Sequence, residues 1–400
     1  MRGGGAVSES LIEGNTVELY ENGDEFFPAV IAAIDEARQE VLIETFIFRN
    51  DTTGTSIRDA LVRAAGRHVH IVVVADGFGS AGLDDGFIRS MLDVGITFLM
   101  YDPQPSILWI RHNWLRRLHR KLIAIDNCKG FAGGINITDE QVTSTDLASC
   151  KQDYAAGMQG PVVNEIRALM YEMIREGCGN RCDGPSLKGA PPVKDGKSVR
   201  LVGRDNHKNR RNIEKAFVKA IHSAKHEIII ANAYFLPGYQ FLRALRKAAR
   251  RGVQVKLILA GKTDSLAAQF ATRALYDFLL RSRIRIFEYG KRELHAKIAV
   301  IDGHWTTVGS SNLDPTSLAL NIEANVIVED EAFCQRVKAS IDKLIVEDHA
   351  LPVNQKWIHK RIFLRAYLSF LLFHFLRLFP KWASRLPDQP VRLKYRPGGY

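Results

Sequence analysis

The sequence predicts an α/β protein made of two tandem copies of one unit. Each unit is a mixed sheet flanked by helices, and a pseudo-twofold axis relates them, with one shared site at the interface. Three observations carry this. The pattern His-x-Lys-x4-Asp occurs twice, as His119, Lys121 and Asp126 in RLHRKLIAID and as His295, Lys297 and Asp302 in ELHAKIAVID. Seven residues after each aspartate comes a tight turn ending in asparagine, Gly133-Gly134-Ile135-Asn136 and then Gly309-Ser310-Ser311-Asn312. Stretches outside the motifs also match: AIDEA (33–37) and AIHSA (220–224), and DALVRAAGRHVHIVVVADG (59–77) and RALRKAARRGVQVKLILAG (243–261). One chance motif in a chain this long has a probability of roughly a few per cent. Two copies with matching turns exclude coincidence.

Taken in order, each unit reads helix, buried strand, helix, buried strand. The helices show apolar residues three and four apart, and the strands are short β-branched runs such as 71–74 and 255–259. LIAI (122–125) and IAVI (298–301) are further strands, directly after each His and Lys. Alternation along a strand puts His119 and Lys121 on one face, and His295 and Lys297 likewise. Asp126 and Asp302 follow at the strand ends and need not face the same space. Residues 183–198 are rich in Gly, Pro, Ser and charge, which makes them the expected linker between units at 14–182 and 199–348.

The composition, 46% hydrophobic and 25% charged, excludes a disordered chain. A net charge of +11 points to a polyanionic partner, nucleic acid or an anionic membrane. The five cysteines form no regular framework. Cys178 and Cys182 could be half of a zinc site, but no second pair completes it, so reduced thiols are expected. The first residues lack the apolar core of an export signal, and a reducing cytosolic setting fits.

Two histidines, two lysines and two asparagines facing one cleft suit a phosphodiester. A neutral imidazole can attack phosphorus and form a covalent phosphohistidine. A second, protonated imidazole can serve the leaving alkoxide and then deprotonate the incoming hydroxyl. Lysines and the asparagine amides can hold the non-bridging oxygens, so no metal or other cofactor is required. Asp153 in KQDYA and Glu323 in NIEANV are the candidates to fix the histidine tautomers. Glu323 lies in an otherwise apolar run, where a buried carboxylate needs a partner.

With these motifs the chain resembles the phospholipase D superfamily. GNTVELYENGDEFFPAVIAAIDEA, LIETFIF, DGFGS, the YDP before the first motif and KQDYA…GPVV resemble bacterial cardiolipin synthases, in the short B-type form without N-terminal membrane helices. The resemblance spans residues 14–385. It implies transfer of a phosphatidyl group between two phosphatidylglycerol molecules, with release of glycerol. It further implies His119 as nucleophile and His295 as acid–base, although the residues allow either order. Lys121, Lys297, Asn136, Asn312 and Ser310 would bind phosphate, and Asp126 and Asp302 would mainly support local structure. Gly134 stands where a serine is usual, as at Ser310.

Residues 349–387 hold no Asp or Glu and interleave Lys and Arg with aromatics. Their longest run free of Lys and Arg is eleven residues, 366–376, too short to span a bilayer. This is expected to be a membrane-associating segment on anionic lipid, placing the protein peripherally, at the cytoplasmic face. The basic, aromatic stretch 105–121, with Trp109 and Trp114, is a second candidate for contact with headgroups. A lipid hydrolase or a nuclease with the same residues is the alternative, separated by its acceptor or substrate. A non-catalytic membrane-binding protein is disfavoured by two intact motifs. The sequence sets no oligomeric state.

Overall fold

The structure, a computed structural model, describes residues 10–103, 116–143, 150–178, 182–263 and 265–354, with isolated positions 371, 374–375, 378–379, 382 and 393–395 beyond them. Much of the expected membrane segment 349–387, and Trp109 and Trp114, lie outside the described residues.

The first half runs β1 (Ile12–Glu21), α1 (Asn22–Glu36), β2 (Glu40–Thr45), α2 (Thr52–Ala65), β3 (His70–Asp76), α3 (Asp85–Leu92), β4 (Thr97–Tyr101), β5 (Leu122–Ile125), β6 (Lys129–Gly133), β7 (Lys151–Gln152), β8 (Tyr154–Gln159) and α4 (Val162–Cys178). The second half runs β9 (Lys197–Arg204), α5 (Asn212–Ser223), β10 (Glu227–Asn232), α6 (Tyr239–Arg250), β11 (Gln254–Ala260), α7 (Leu266–Ala274), α8 (Tyr276–Arg281), β12 (Arg285–Tyr289), β13 (Glu293–Leu294), β14 (Lys297–Ile301), β15 (Trp305–Gly309), α9 (Pro315–Ala319), β16 (Glu323–Glu329) and α10 (Glu331–Val346). The short β17 (Leu351–Pro352) and β18 (Leu393–Tyr395) close the two sheet edges.

The first half is ordered β1-β8-β6-β5-β2-β3-β4 and the second β9-β16-β15-β14-β10-β11-β12. The second order repeats the first, strand for strand. Antiparallel pairing of β1 with β9 joins them into one sheet of sixteen strands among the described residues. Within each half, three strands are parallel (β2-β3-β4; β10-β11-β12) and the rest antiparallel. The tandem, mixed α/β architecture expected from the repeats is the one observed.

Strand alternation divides the core. In β2, Val41 and Ile43 face a core shared with α1, α2 and α3, whereas Leu42 faces the opposite side. That opposite side is one continuous core through both halves, under α4 and α10. Each half therefore has a private core on one face and a common core on the other, which holds the two active-site edges in register. Residues 183–196, between α4 and β9, carry no helix or strand, and we propose 14–182 and 199–348 as the two units.

One expectation is corrected. Cys178 and Cys182 are not free thiols: they are joined in a disulfide with Cα atoms 6.5 Å apart, within the 4.4–6.8 Å that a bridge allows. Cys128, Cys150 and Cys334 remain thiols.

Candidate active site

Each histidine belongs to one half and is held by the other. The His119 main-chain N–H donates to the carbonyl of Ile322 at 2.9 Å, and its Nδ1 lies 3.0 Å from both oxygens of the next residue, Glu323. The His295 N–H donates to the carbonyl of Gln152 at 2.9 Å, and its Nδ1 lies 2.5 Å from the next residue, Asp153. Short parallel pairings support both clamps, Leu118 with Ile322 and β13 with β7. A carboxylate accepts, so the Nδ1–H tautomer is fixed and Nε2 is left to face a substrate. His119 is 7% exposed and Asp153 and Glu323 are 0%, while the His295 side chain keeps 12% of its surface.

The lysines sit where alternation places them. Lys121 Nζ donates to the carbonyl of His119 at 2.7 Å, and Lys297 Nζ donates to the carbonyl of His295. Both are buried, and desolvation lowers them, Lys121 to about 7 and Lys297 to about 8. Burial likewise pulls His119 down to about 4, against the opposing pull of Glu323, and His295 well below the usual value, with Lys297 adding to the effect. Burial thus favours neutral imidazoles. An anionic phosphodiester would offset the lysines and restore the proton that the acid needs.

Asn136 and Asn312 are buried, 2% and 5% exposed. The Asn136 carbonyl oxygen accepts from Ile47 N–H at 3.2 Å, which turns its amide NH2 the other way. The turn serine behaves differently from the sequence expectation. Ser310 donates to Glu323 at 2.5 Å and accepts from Ala324 N–H at 3.0 Å, so its hydroxyl is committed to the carboxylate rather than to the cleft. The glycine at the matching place also has its reason. A Cβ on Gly134 would stand 2.3 Å from Asp153 Oδ1, so the shorter acid occupies the space that a serine needs.

Asp126 and Asp302, grouped by sequence with the catalytic residues, stand at the far ends of β5 and β14. Asp126 accepts from the N–H groups of Arg38, Gln39 and Glu40, each at 2.8 Å. Asp302 accepts from Lys225, His226 and Glu227 at 2.7, 2.8 and 2.8 Å. Both sit at positive φ, 49° and 52°. They fix the starts of β2 and β10.

Several residues around the site escaped the sequence reading. Buried Asp76 accepts from Leu118 N–H at 2.9 Å and from Phe78 and Gly79, which anchors the approach to His119. Phe46 packs edge-on to the His119 ring, with centroids 4.9 Å apart. Arg116, which the sequence placed in the basic stretch 105–121, and Arg292, which it did not single out, are buried three residues before each histidine. The signal was present, because the repeat is Arg-x-Leu-His-x-Lys in both halves. Arg120, between His and Lys, points to the other face and pairs with buried Glu44 at 2.8 Å. Among the described residues, no group of three His, Cys, Asp or Glu is placed to hold a metal ion.

The family model described as cardiolipin synthase, PLD-like domain, matches residues 30–153 and 217–345, so each match contains one His-x-Lys-x4-Asp copy. Cardiolipin synthase B of Escherichia coli K12 is 42% identical over 383 residues, covering 95% of this chain and 92% of that protein. Cardiolipin synthase B of Salmonella typhimurium is 41% identical over 400 residues, covering 96% and 93%. Cardiolipin synthase 1 of Bacillus anthracis is 29% identical over 338 residues, covering 82% of this chain and 65% of that one. Among solved structures, phosphatidylserine synthase of Haemophilus influenzae superposes with a TM-score of 0.65 at 15% identity, covering 94% and 96%, a likeness of fold. On the crossed histidine clamps and on this coverage, the chain belongs to the cardiolipin synthase family of phospholipase D-like phosphatidyltransferases.

Proposed function

We propose that the protein makes cardiolipin from two phosphatidylglycerol molecules through a phosphatidyl-histidine. The observation that carries the reading is the crossed clamp: two imidazoles, each fixed at Nδ1 by a carboxylate of the other half, with two lysines beside them. His119 Nε2 bonds to phosphorus as the P–O bond to the headgroup glycerol breaks, and protonated His295 gives its proton to that oxygen. Glycerol leaves. A hydroxyl of the second phosphatidylglycerol then loses its proton to His295, attacks phosphorus, and displaces His119. Lys121, Lys297, Asn136 and Asn312 hold the non-bridging oxygens, which makes lysine the source of positive charge at phosphorus.

The reaction needs a lipid surface. Along the helical positions described near the C-terminus, Leu371, Phe375, Leu378 and Trp382 are 45–57% exposed, at spacings of four, three and four residues. That spacing is one face of a helix. With the arginines and lysines of 349–387 it supports peripheral attachment to anionic membrane. No helix among the described residues is long and apolar enough to cross a membrane.

Product analysis of purified protein with labelled phosphatidylglycerol in mixed micelles, with EDTA present, tests this. Cardiolipin with an equivalent of glycerol is expected. Phosphatidic acid alone would make the protein a hydrolase, and no lipid turnover would overturn the lipid reading.

A further inference from the structure

Arg204, at the end of β9, is 2% exposed, and its strand partner is Glu323, the residue that holds His119. Its Nη1 donates to the carbonyl of Asn321 and its Nε to the carbonyl of Arg210 at 3.3 Å. Its Nη2 is buried without a hydrogen-bond partner. Leaving one nitrogen of a buried guanidinium unpaired is costly, and such groups normally meet an acceptor. The surroundings add positive charge. Arg116 and Arg210 act on Arg204 with like charge, against Asp205 and Glu323. Glu323 is already engaged by His119 and Ser310. Arg116 reaches this place because residues 117–119 run beside Ile322, with Ile322 N–H donating to the carbonyl of Arg117 at 2.8 Å.

The other half has no such feature. The place beside Asp153 that corresponds to Arg204 is taken by Asn22, one residue past the Glu21–Tyr154 pair. Asn22 is neutral and fully used: its main-chain N–H donates to the carbonyl of Asp153, its Oδ1 accepts from Asp153 N–H, and its amide donates to Gln152.

We propose that Arg204, assisted by Arg116, binds a second phosphodiester, that of the acceptor lipid, beside the histidine that carries the phosphatidyl group. This rests on the synthase reading above and adds what selects lipid over water. The two phosphates of the product are joined by a single glycerol. An acceptor gripped by its own phosphate on the His119 side therefore brings its free hydroxyl to the phosphorus already bonded there, while water and simple alcohols gain nothing from the grip.

The test compares acceptors for the phosphatidyl-enzyme formed from phosphatidylglycerol: glycerophosphoglycerol, which is the acceptor without its acyl chains, glycerol and ethanol. Wild type is expected to prefer glycerophosphoglycerol over glycerol by at least tenfold in kcat/KM. In Arg204→Gln that preference should fall at least tenfold, through KM. Equal use of both alcohols by wild type would overturn the subsite, as would parallel losses for all three acceptors in the variant. Should the variant not fold, the wild-type preference decides alone. Inorganic phosphate that competes as strongly as glycerophosphoglycerol would assign the site to free phosphate instead. Failure of wild type to form cardiolipin from phosphatidylglycerol itself would count against the synthase chemistry, not against the subsite.

Discussion

The two half-sites share a skeleton and differ in their charges. In both, a histidine reaches across the interface, binds the carbonyl before an acid with its N–H, and binds the acid with Nδ1. On the His119 side the acid is Glu323. Burial pushes it up, but His119, Lys121 and the Ser310 hydroxyl overcome this and hold it below the usual carboxylate value. On the His295 side the acid is Asp153, which burial raises to about 6, and Gly134 offers it no hydroxyl. Phe46 walls His119, while the matching position after β10 is Ala233. Glu44 and Arg120 form a buried pair behind the first motif, where the second has Ala231 and Ala296. Duplication supplies two identical chemical groups, and on the proposed mechanism these neighbours would allow them different tasks: an acid held below its usual value behind His119, and one raised by burial behind His295.

Glu323→Gln and Asp153→Asn each remove the acceptor that fixes a tautomer, so kcat should fall by about 10³–10⁴ in both. A loss confined to one would show that only one clamp matters. Arg120→Ala leaves Glu44 buried without its cation and should cost about 3–5 kcal/mol in denaturant unfolding. Adding Glu44→Ala, which recreates the alanine pair of the second half, should recover much of that. Exchanging the turn residues sharpens the asymmetry. Gly134→Ser forces Asp153 aside and should lower stability by about 1–3 kcal/mol, whereas Ser310→Ala removes one hydrogen bond to a carboxylate and should cost about 1.5–3 kcal/mol. Acid stability separates the two sides as well. The folded-state pKa of His119, depressed to about 4, means that the unfolded chain takes up protons first as pH falls below 6.5. Stability is therefore lost between pH 6.5 and about 4, and His119→Gln should unfold less steeply with acid across that window.

Much of this was legible in the sequence, for a physical reason. Residues two apart on a strand share a face, so the His–Lys pairs could be placed, and a carboxylate in an apolar run needs a partner, which singled out Glu323. The crossing of the clamps was not legible. Asp153 and His295 are 142 residues apart and Glu323 and His119 are 204 apart, and only the β1–β9 seam and the common core bring them together. Ser310 read as a phosphate ligand because a hydroxyl in a glycine turn looks available, and its direction is set by a neighbour on β16. Arg204 carries no motif at all. The disulfide between Cys178 and Cys182 depends on how the chain leaves α4, which spacing does not determine.

In the proposed mechanism chemically identical histidines divide the work, His119 bonding to phosphorus and His295 moving protons. Protein denatured at mildly alkaline pH, where a phosphohistidine survives, from a reaction with phosphatidylglycerol labelled at phosphorus tests this, comparing His119→Ala with His295→Ala. No labelled protein is expected from His119→Ala, and slow, persistent labelling at His119 is expected in His295→Ala, with turnover lost in both. Label on His295 in the His119→Ala variant, or full cardiolipin synthesis by either, would contradict it.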